Sequence, residues 1–283
     1  MKSRNLSELN LDRQSFLGEN SSSVLDASHV AIVGLGGGGS HIAQQLGHLG
    51  VGEFLLIDPD IVEETNLNRL VGAAQQDVGK GASKTSVAAR VIAGVNPRVR
   101  IWTETAQWQM CATALRSCDA IFGCVDSIAE REQLETAARR YLIPYIDLGM
   151  DVHKVNGEYI VGGQVALSMP DGPCLRCMGI VTDRALELEA KQYGAAGGRP
   201  QVVWANGVLA SLAVGYFVQI VTPWYKQQKL PVLVEFDGNT QTVSPSNKLQ
   251  YLEGHTCRHF ADLSSLGDPF WEAQTVAGQR AKA

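Results

Sequence analysis

Residues 30–60, VAIVGLGGGGSHIAQQLGHLGVGEFLLIDPD, set a glycine-rich loop between an apolar run and a helical pattern, and close on two aspartates. Gly34-x-Gly36-x-x-Gly39 follows a strand-like segment and opens a helix-like one. In that setting the first glycine permits a tight turn and the second lets the backbone approach a phosphate. The third lets helix and strand pack closely, and the helix N-terminus stabilises the anion. Asp58 ends the second strand-like run, where a carboxylate hydrogen-bonds a ribose hydroxyl. The loop points to a nucleotide without saying which one.

Downstream residues narrow the choice. Asn66 and Arg69 lie in DPDIVEETNLNRL, on an irregular segment after the second strand. GKGASKT, residues 79–85, is similar to a phosphate loop of the Walker type, but Ser83 stands where its last glycine is required and no strand feeds it. It reads instead as a loop that delivers Lys80 or Lys84 toward phosphates. A nicotinamide cofactor needs no such arginine and lysine, whereas a triphosphate losing pyrophosphate does. Asp126 ends the apolar run AIFGCVD, at the sheet edge where one or two carboxylates hold Mg2+. Each residue has a structural alternative: a helix cap for Asn66 and Asp126, a surface ion pair for Arg69, solvent for Lys84, a turn for Asp60.

The elements that position these residues follow from periodicity. HVAIVG, EFLLIDPD, VRIWTETA, CDAIFGCVD and IPYIDLGMDV read as strands, and SHIAQQLGHLGV, SKTSVAARVIAGVNP and SIAEREQLETAARRYL as helices between them. Such alternation predicts an α/β, Rossmann-like, doubly wound and mostly parallel sheet. After about residue 150, GEYIVGGQVALSMP and LPVLVEFDGNTQTVSPS predict an antiparallel C-terminal extension, with a hairpin turn at Asp237-Gly238-Asn239. The stretch TDRALELEAKQYGAAGGRPQ reads as a polar, then glycine-rich connector. The apolar residues 208–221 read as a buried helix, too short to span a bilayer. No linker separates domains, so residues 1–283 form one unit: a nucleotide-binding half, 1–150, and a half for substrate binding and dimerisation, 151–283.

These motifs, in this order, resemble the ThiF/MoeB/HesA family of adenylyltransferases, whose fold is shared with ubiquitin-activating enzymes. Residues 34–40 match its G-x-G-G-x-G-S with Gly34, Gly36, Gly37 and Gly39, and Gly38 stands where a larger apolar residue is common. DPDIVEETNLNR, DVGKGASKTSVAARVIAGVNP, CVDSIAEREQL and LDRQSFLGE match further family segments. The resemblance implies that Asp58 holds the ribose, that Asn66, Arg69 and Lys84 grip the triphosphate, that Arg13 reaches in from a second copy of a homodimer, and that Asp126 carries Mg2+. Asp60 stands between a nucleotide role and a turn. The implied reaction is attack of a carboxylate on the α-phosphate of ATP. It requires no general base, in keeping with the lack of histidine in these motifs. The substrate expected is the C-terminal glycine of a small ubiquitin-like or sulfur-carrier protein. Adenylation of a peptide, small-molecule or tRNA-bound acid is the alternative. A NAD-dependent oxidoreductase and a non-catalytic nucleotide-binding partner subunit are two others.

Six cysteines in 283 residues are no disulfide framework. Cys174 and Cys177 form Cys-x-x-Cys in a Gly-Pro loop, to be tested first as a metal site. The family completes a structural zinc site with a second Cys-x-x-Cys. Here GHTCRHF offers Cys257 with His255 or His259, a Cys3His set, and the residue three past Cys257 is Phe260. The family's acyl-accepting cysteine has no counterpart, since none lies between Cys177 and Cys257. Cys111, Cys118 and Cys124 read as small core residues. With a net charge of -5, 45% hydrophobic residues and no basic stripe, neither nucleic acid nor membrane is an expected partner. MKSRNLSELNLDRQSF holds no signal-peptide pattern, so a cytoplasmic location is expected.

Overall fold

The computed structural model describes residues 11–191, 200–225, 230–254, 256–260 and 266. A 3-10 turn (Asp12–Leu17) and α1 (Ser21–Ala27) lead into β1 (His29–Val33), α2 (Gly37–Leu49) and β2 (Glu53–Ile57). A 3-10 turn (Glu64–Asn66), α3 (Gln75–Lys80), α4 (Lys84–Val95) and β3 (Arg100–Glu104) follow. Beyond a 3-10 segment (Trp108–Ser117) come β4 (Ala120–Gly123), α5 (Ile128–Arg140), β5 (Tyr145–Val155) and β6 (Glu158–Ser168). Then come α6 (Asp183–Lys191), α7 (Val203–Val221), β7 (Leu233–Asp237), β8 (Thr242–Pro245) and a 3-10 turn (Asn247–Tyr251).

One eight-stranded sheet runs in the order β3-β2-β1-β4-β5-β6-β7-β8. The first five strands pair in parallel and the last three antiparallel, which is the α/β architecture with an antiparallel extension expected from the sequence. β1 is apolar almost throughout because both its faces are covered. Val30 and Ile32 join one core with α2, α4 and α7, while Ala31 and Val33 join the other, beneath α5 and Trp108. Strand order reverses between β1 and β4, so a crevice opens at their C-terminal ends, where ligands of such sheets bind.

Two elements differ from the sequence reading. The apolar helix begins at Val203 and has a mean hydropathy of 1.5, long and apolar enough to cross a membrane. In the fold it packs against α2, β5 and β6 as a core helix. The polar connector contains α6, which fully buries no residue, although Leu186 packs partly buried against the core beneath α5. Polar contacts hold it as well: Thr182 Oγ1 accepts from Ala185 N (3.1 Å), Asp183 pairs with Arg176 (2.7 Å), and Glu189 accepts from Ile128 N and Ala129 N at 2.8 and 3.0 Å. The glycine-rich part, 192–199, lies outside the described residues.

Candidate active site

The glycine loop turns directly off β1. Gly34 has φ +88, in the left-handed region, and a Cβ there would meet Cys124 O at 2.5 Å. A Cβ on Gly39 would lie 1.9 Å from Gly34 O, so the third glycine closes the loop onto its own helix. A Cβ on Gly36 would meet nothing within 4 Å. That open space belongs to a cavity of about 320 Å³ at the N-terminus of α2, where the unpaired amides of a first helical turn suit an anion.

Most of the candidate residues meet on this cavity. Gly34, Gly36, Gly37, Asp58, Asp60, Arg69, Lys84 and Asp126 all line it. Asp58, 4% exposed, accepts from Leu35 N (2.6 Å) and Asp60 N (2.9 Å), tying the glycine loop to the end of β2. Burial pushes its carboxyl above the ordinary value, and Lys84, 3.8 Å away, pulls against that shift. Lys84 opens α4, and its Nζ reaches Asp60 at 2.7 Å. Lys80 ends α3, is exposed and does not line the cavity, whereas Lys84 does. Arg69 Nη1 donates to Thr65 O (2.6 Å) and Asn68 Oδ1 (3.0 Å).

Asp126 stands past the end of β4 and is exposed. It does not cap α5, because Ser127 does so, its Oγ accepting from Glu130 N at 3.1 Å. Asp126 is thereby free to face the cavity, where Gln201 Nε2 donates to its Oδ1 (3.3 Å). Asn66 takes the structural alternative. Its Oδ1 accepts from Glu63 N (3.0 Å), capping the 3-10 turn, and it does not line the cavity. Gly39 packs behind the loop, and Arg13 is exposed on the N-terminal 3-10 turn, away from this chain's own cavity. Cys118 is buried and Cys111 partly so, as core residues should be. Cys124 departs from that reading by lining the cavity. Burial raises its thiol far above the ordinary range, which suits it poorly to nucleophilic attack.

Sequence reasoning missed Arg131. Its guanidinium lies under the cavity, donating to Val125 O and Leu148 O at 3.2 Å each and reaching Asp147 Oδ2 at 3.5 Å. Asp147 is fully buried and also accepts from Tyr145 Oη (3.0 Å). The signal was present: residue 131 falls on the buried stripe of α5 with Leu134 and Ala138. No histidine lines the cavity among the described residues.

Away from the cavity, Cys174, Cys177, Cys257 and His259 present ligand atoms all within 4.8 Å of one another. Cys174 Sγ lies 3.5 Å from Cys177 Sγ, and His259 Nδ1 lies 3.3 Å from Cys174 Sγ and 3.4 Å from Cys177 Sγ. Tetrahedral zinc with ordinary Zn–S and Zn–N bonds separates such ligands by roughly 3.5–3.8 Å, so the donor set fits. Of the two histidines considered, His259 joins the cluster and His255 lies outside the described residues. Glu135 holds the Cys-x-x-Cys turn by accepting from Leu175 N (2.9 Å) and from Ser168 Oγ.

Comparison with known proteins places this geometry. A profile described as the ThiF family matches residues 9–257. The SAMP-activating enzyme E1 of Haloferax volcanii is 32% identical over 154 residues, 54% of this chain and 53% of that protein. Ubiquitin-like modifier-activating enzyme 5 of Culex quinquefasciatus is 31% identical over 153 residues, 48% of this chain and 38% of that protein. The chain thus spans about half or less of the length of these relatives. Among solved structures, E. coli MccB with ATP superposes with a TM-score of 0.66 at 22% identity, covering 85% of this chain and 73% of that one. PaaA does so with a TM-score of 0.62 at 23% identity, covering 79% and 74%. At these identities the two structures support the fold alone.

Proposed function

The chain belongs to the ThiF family, and from that premise we propose that it is an ATP-dependent adenylyltransferase that activates a carboxylate. The observation that carries the reading is the convergence of Arg69, Lys84 and Asp126 on one cavity at the N-terminus of α2. A triphosphate needs those charges, and a dinucleotide does not. In the reaction, a carboxylate oxygen of the substrate forms a bond to the α-phosphorus and the bond to the bridging oxygen of pyrophosphate breaks. The products are an acyl adenylate and pyrophosphate. Lys84, exchanging Asp60 for phosphate oxygens, and Arg69 neutralise the leaving pyrophosphate, while the α2 amides hold the α-phosphate. Asp126 would hold Mg2+, which supplies charge neutralisation on the phosphates when bound. The substrate carboxylate is ionised at neutral pH, so a site without histidine suffices.

The names of the relatives, activators of SAMP and ubiquitin-like proteins, support as substrate the C-terminal glycine of a small ubiquitin-like or sulfur-carrier protein. The described cavity offers no accessible low-pKa thiol, so the adenylate passes to an outside nucleophile. The exposed Arg13 fits a homodimer in which each copy completes the other's site, and the Cys3His cluster fits a structural zinc. ATP–pyrophosphate exchange tests the core of the reading. Label should enter ATP only with Mg2+ and a carboxylate-terminated Gly-Gly protein or peptide present. If nicotinamide nucleotide binds instead and ATP does not, the proposal is wrong.

A further inference from the structure

Three helices begin at the cavity on one face of the sheet. α2 packs against α4, which rests on β2 and β3, and on its other flank against α7, which rests on β5 and β6. Given the strand order, α4 and α7 lie on opposite sides of α2. Lys84 is the first residue of α4 and Gly37 the first of α2, while Asn206 lies in the first turn of α7. Displacement at phosphorus places the attacking and leaving oxygens roughly in line. Lys84 stands at the α4 side of the cavity, so with pyrophosphate drawn to it the incoming carboxylate approaches from the α7 flank.

Asn206 is the buried polar side chain on that flank. It is 2% exposed, and its carboxamide lies against the glycine loop, Nδ2 being 2.4 Å and Oδ1 3.2 Å from where a Cβ on Gly37 would stand. Among the described residues its side chain makes one hydrogen bond, Nδ2 donating to Val202 O (3.0 Å). Oδ1 and the second Nδ2 hydrogen are left over on a residue that lines the cavity. Leu148 and Met150 line the same cavity, and their apolar side chains suit an extended chain with little charge. A carboxamide offers one acceptor and one donor, the complement of a peptide group.

We infer that Asn206 is a substrate-binding residue on the acceptor side of the site, reading the last peptide unit before the reacting carboxylate. Its Oδ1 accepts the peptide N–H and its free Nδ2 hydrogen is donated to a carbonyl or carboxylate oxygen. The substrate class is therefore a peptide C-terminus, on a short peptide or a protein tail, and not a free small acid. The inference rests on the adenylation reading and deepens it.

The test compares a hexapeptide ending in free Gly-Gly with the depsipeptide in which the last peptide N–H is replaced by an ester oxygen, in ATP–pyrophosphate exchange. Wild type should prefer the amide in kcat/KM by about fivefold to tenfold, the worth of one buried hydrogen bond. Asn206→Leu should bring the two within about twofold, mainly through KM for the peptide. The intrinsic difference between amide and ester cancels in this ratio of ratios. If leucine prevents folding, Asn206→Thr, which keeps one acceptor, decides by retaining part of the preference. Equal rates for amide and ester in wild type, or an undiminished preference in the folded variant, overturn the assignment of Asn206 alone. Exchange with neither compound, in protein that binds no ATP, overturns the adenylation reading together with it.

Discussion

Asp58 and Glu135 are both buried carboxylates whose pKa burial raises, yet they sit in opposite kinds of network. Around Asp58 the charges face open volume. Lys84 divides itself between Asp58 and an Asp60 side chain that is 61% exposed, and Arg69 spends one nitrogen on neighbouring residues. Around Glu135 the charges are spent on the protein's own groups, although Glu135 and Arg139 also line a cavity of about 370 Å³. Arg139, 2% exposed, donates to Ser168 Oγ, Pro170 O and Gly172 O, and Glu135 accepts from Ser168 and Leu175 N. A network whose donors end on the protein's own carbonyls builds architecture. One whose cation leans on an exposed, replaceable partner is ready for a ligand.

The largest expected effects separate the two networks. Arg139→Ala leaves Glu135 buried without its cation and should cost about 3–5 kcal/mol of stability in urea unfolding. Its exchange activity per folded molecule should be retained. Lys84→Ala should do the reverse, cutting exchange by roughly 10²–10³-fold with little change in the unfolding midpoint. The contrast fails if Lys84→Ala proves the more destabilising of the two.

Metal removal sharpens the same division at smaller cost. If the Cys3His cluster holds zinc, elemental analysis should find one zinc per chain, lost in Cys257→Ala. Chelation should lower the thermal midpoint by about 5–10 °C, as expected for loss of a ligand bound well above its dissociation constant. ATP-analogue binding by the surviving folded protein should be untouched. Coupled loss of both would merge what the two networks hold apart.

The same division explains how much the sequence disclosed. Gly34, Asp58, Lys84 and Asp126 were legible because each stands at a strand end or helix start, and local patterns locate those points. The parallel strands β1, β2 and β4 were legible because burial on both faces makes them continuous apolar runs, and the exposed edge strand β3 by its alternation. Asn66 was legible as a residue and not as a role, since its cap depends on which side chain wins the Glu63 amide. Arg131, Glu135 and Arg139 were hidden in a helix that reads as amphipathic. They occupy its buried stripe, so their charge argued for solvent when their spacing argued for the core. Asn206 was missed for the opposite reason, as one polar residue in an apolar helix that the sequence reading began two residues later. Cys257 and His259 were named through the resemblance alone, with His255 as a rival, and the fold brings His259 beside Cys174 and Cys177.

The smallest expected effect lies within the Asp58 network, where burial and Lys84 pull in opposite directions. Burial is the stronger, so the folded-state pKa of Asp58 is raised above the ordinary 3.8. The folded protein then holds this proton more tightly than the unfolded chain. The stability that the proton contributes is present below pH 3.8 and is lost as pH rises through the folded value. Urea unfolding of wild type and Asp58→Asn at about pH 4 and about pH 7 should therefore show wild type losing ground to the variant as pH rises. If wild type gains ground instead, Lys84 outweighs burial, and Asp58 belongs with the saturated pairs. In Lys84→Ala the opposing pull is gone, and the pH dependence at Asp58 should steepen. Its ionised carboxylate would then be a cost borne by the empty fold and offset when a nucleotide ribose donates to it.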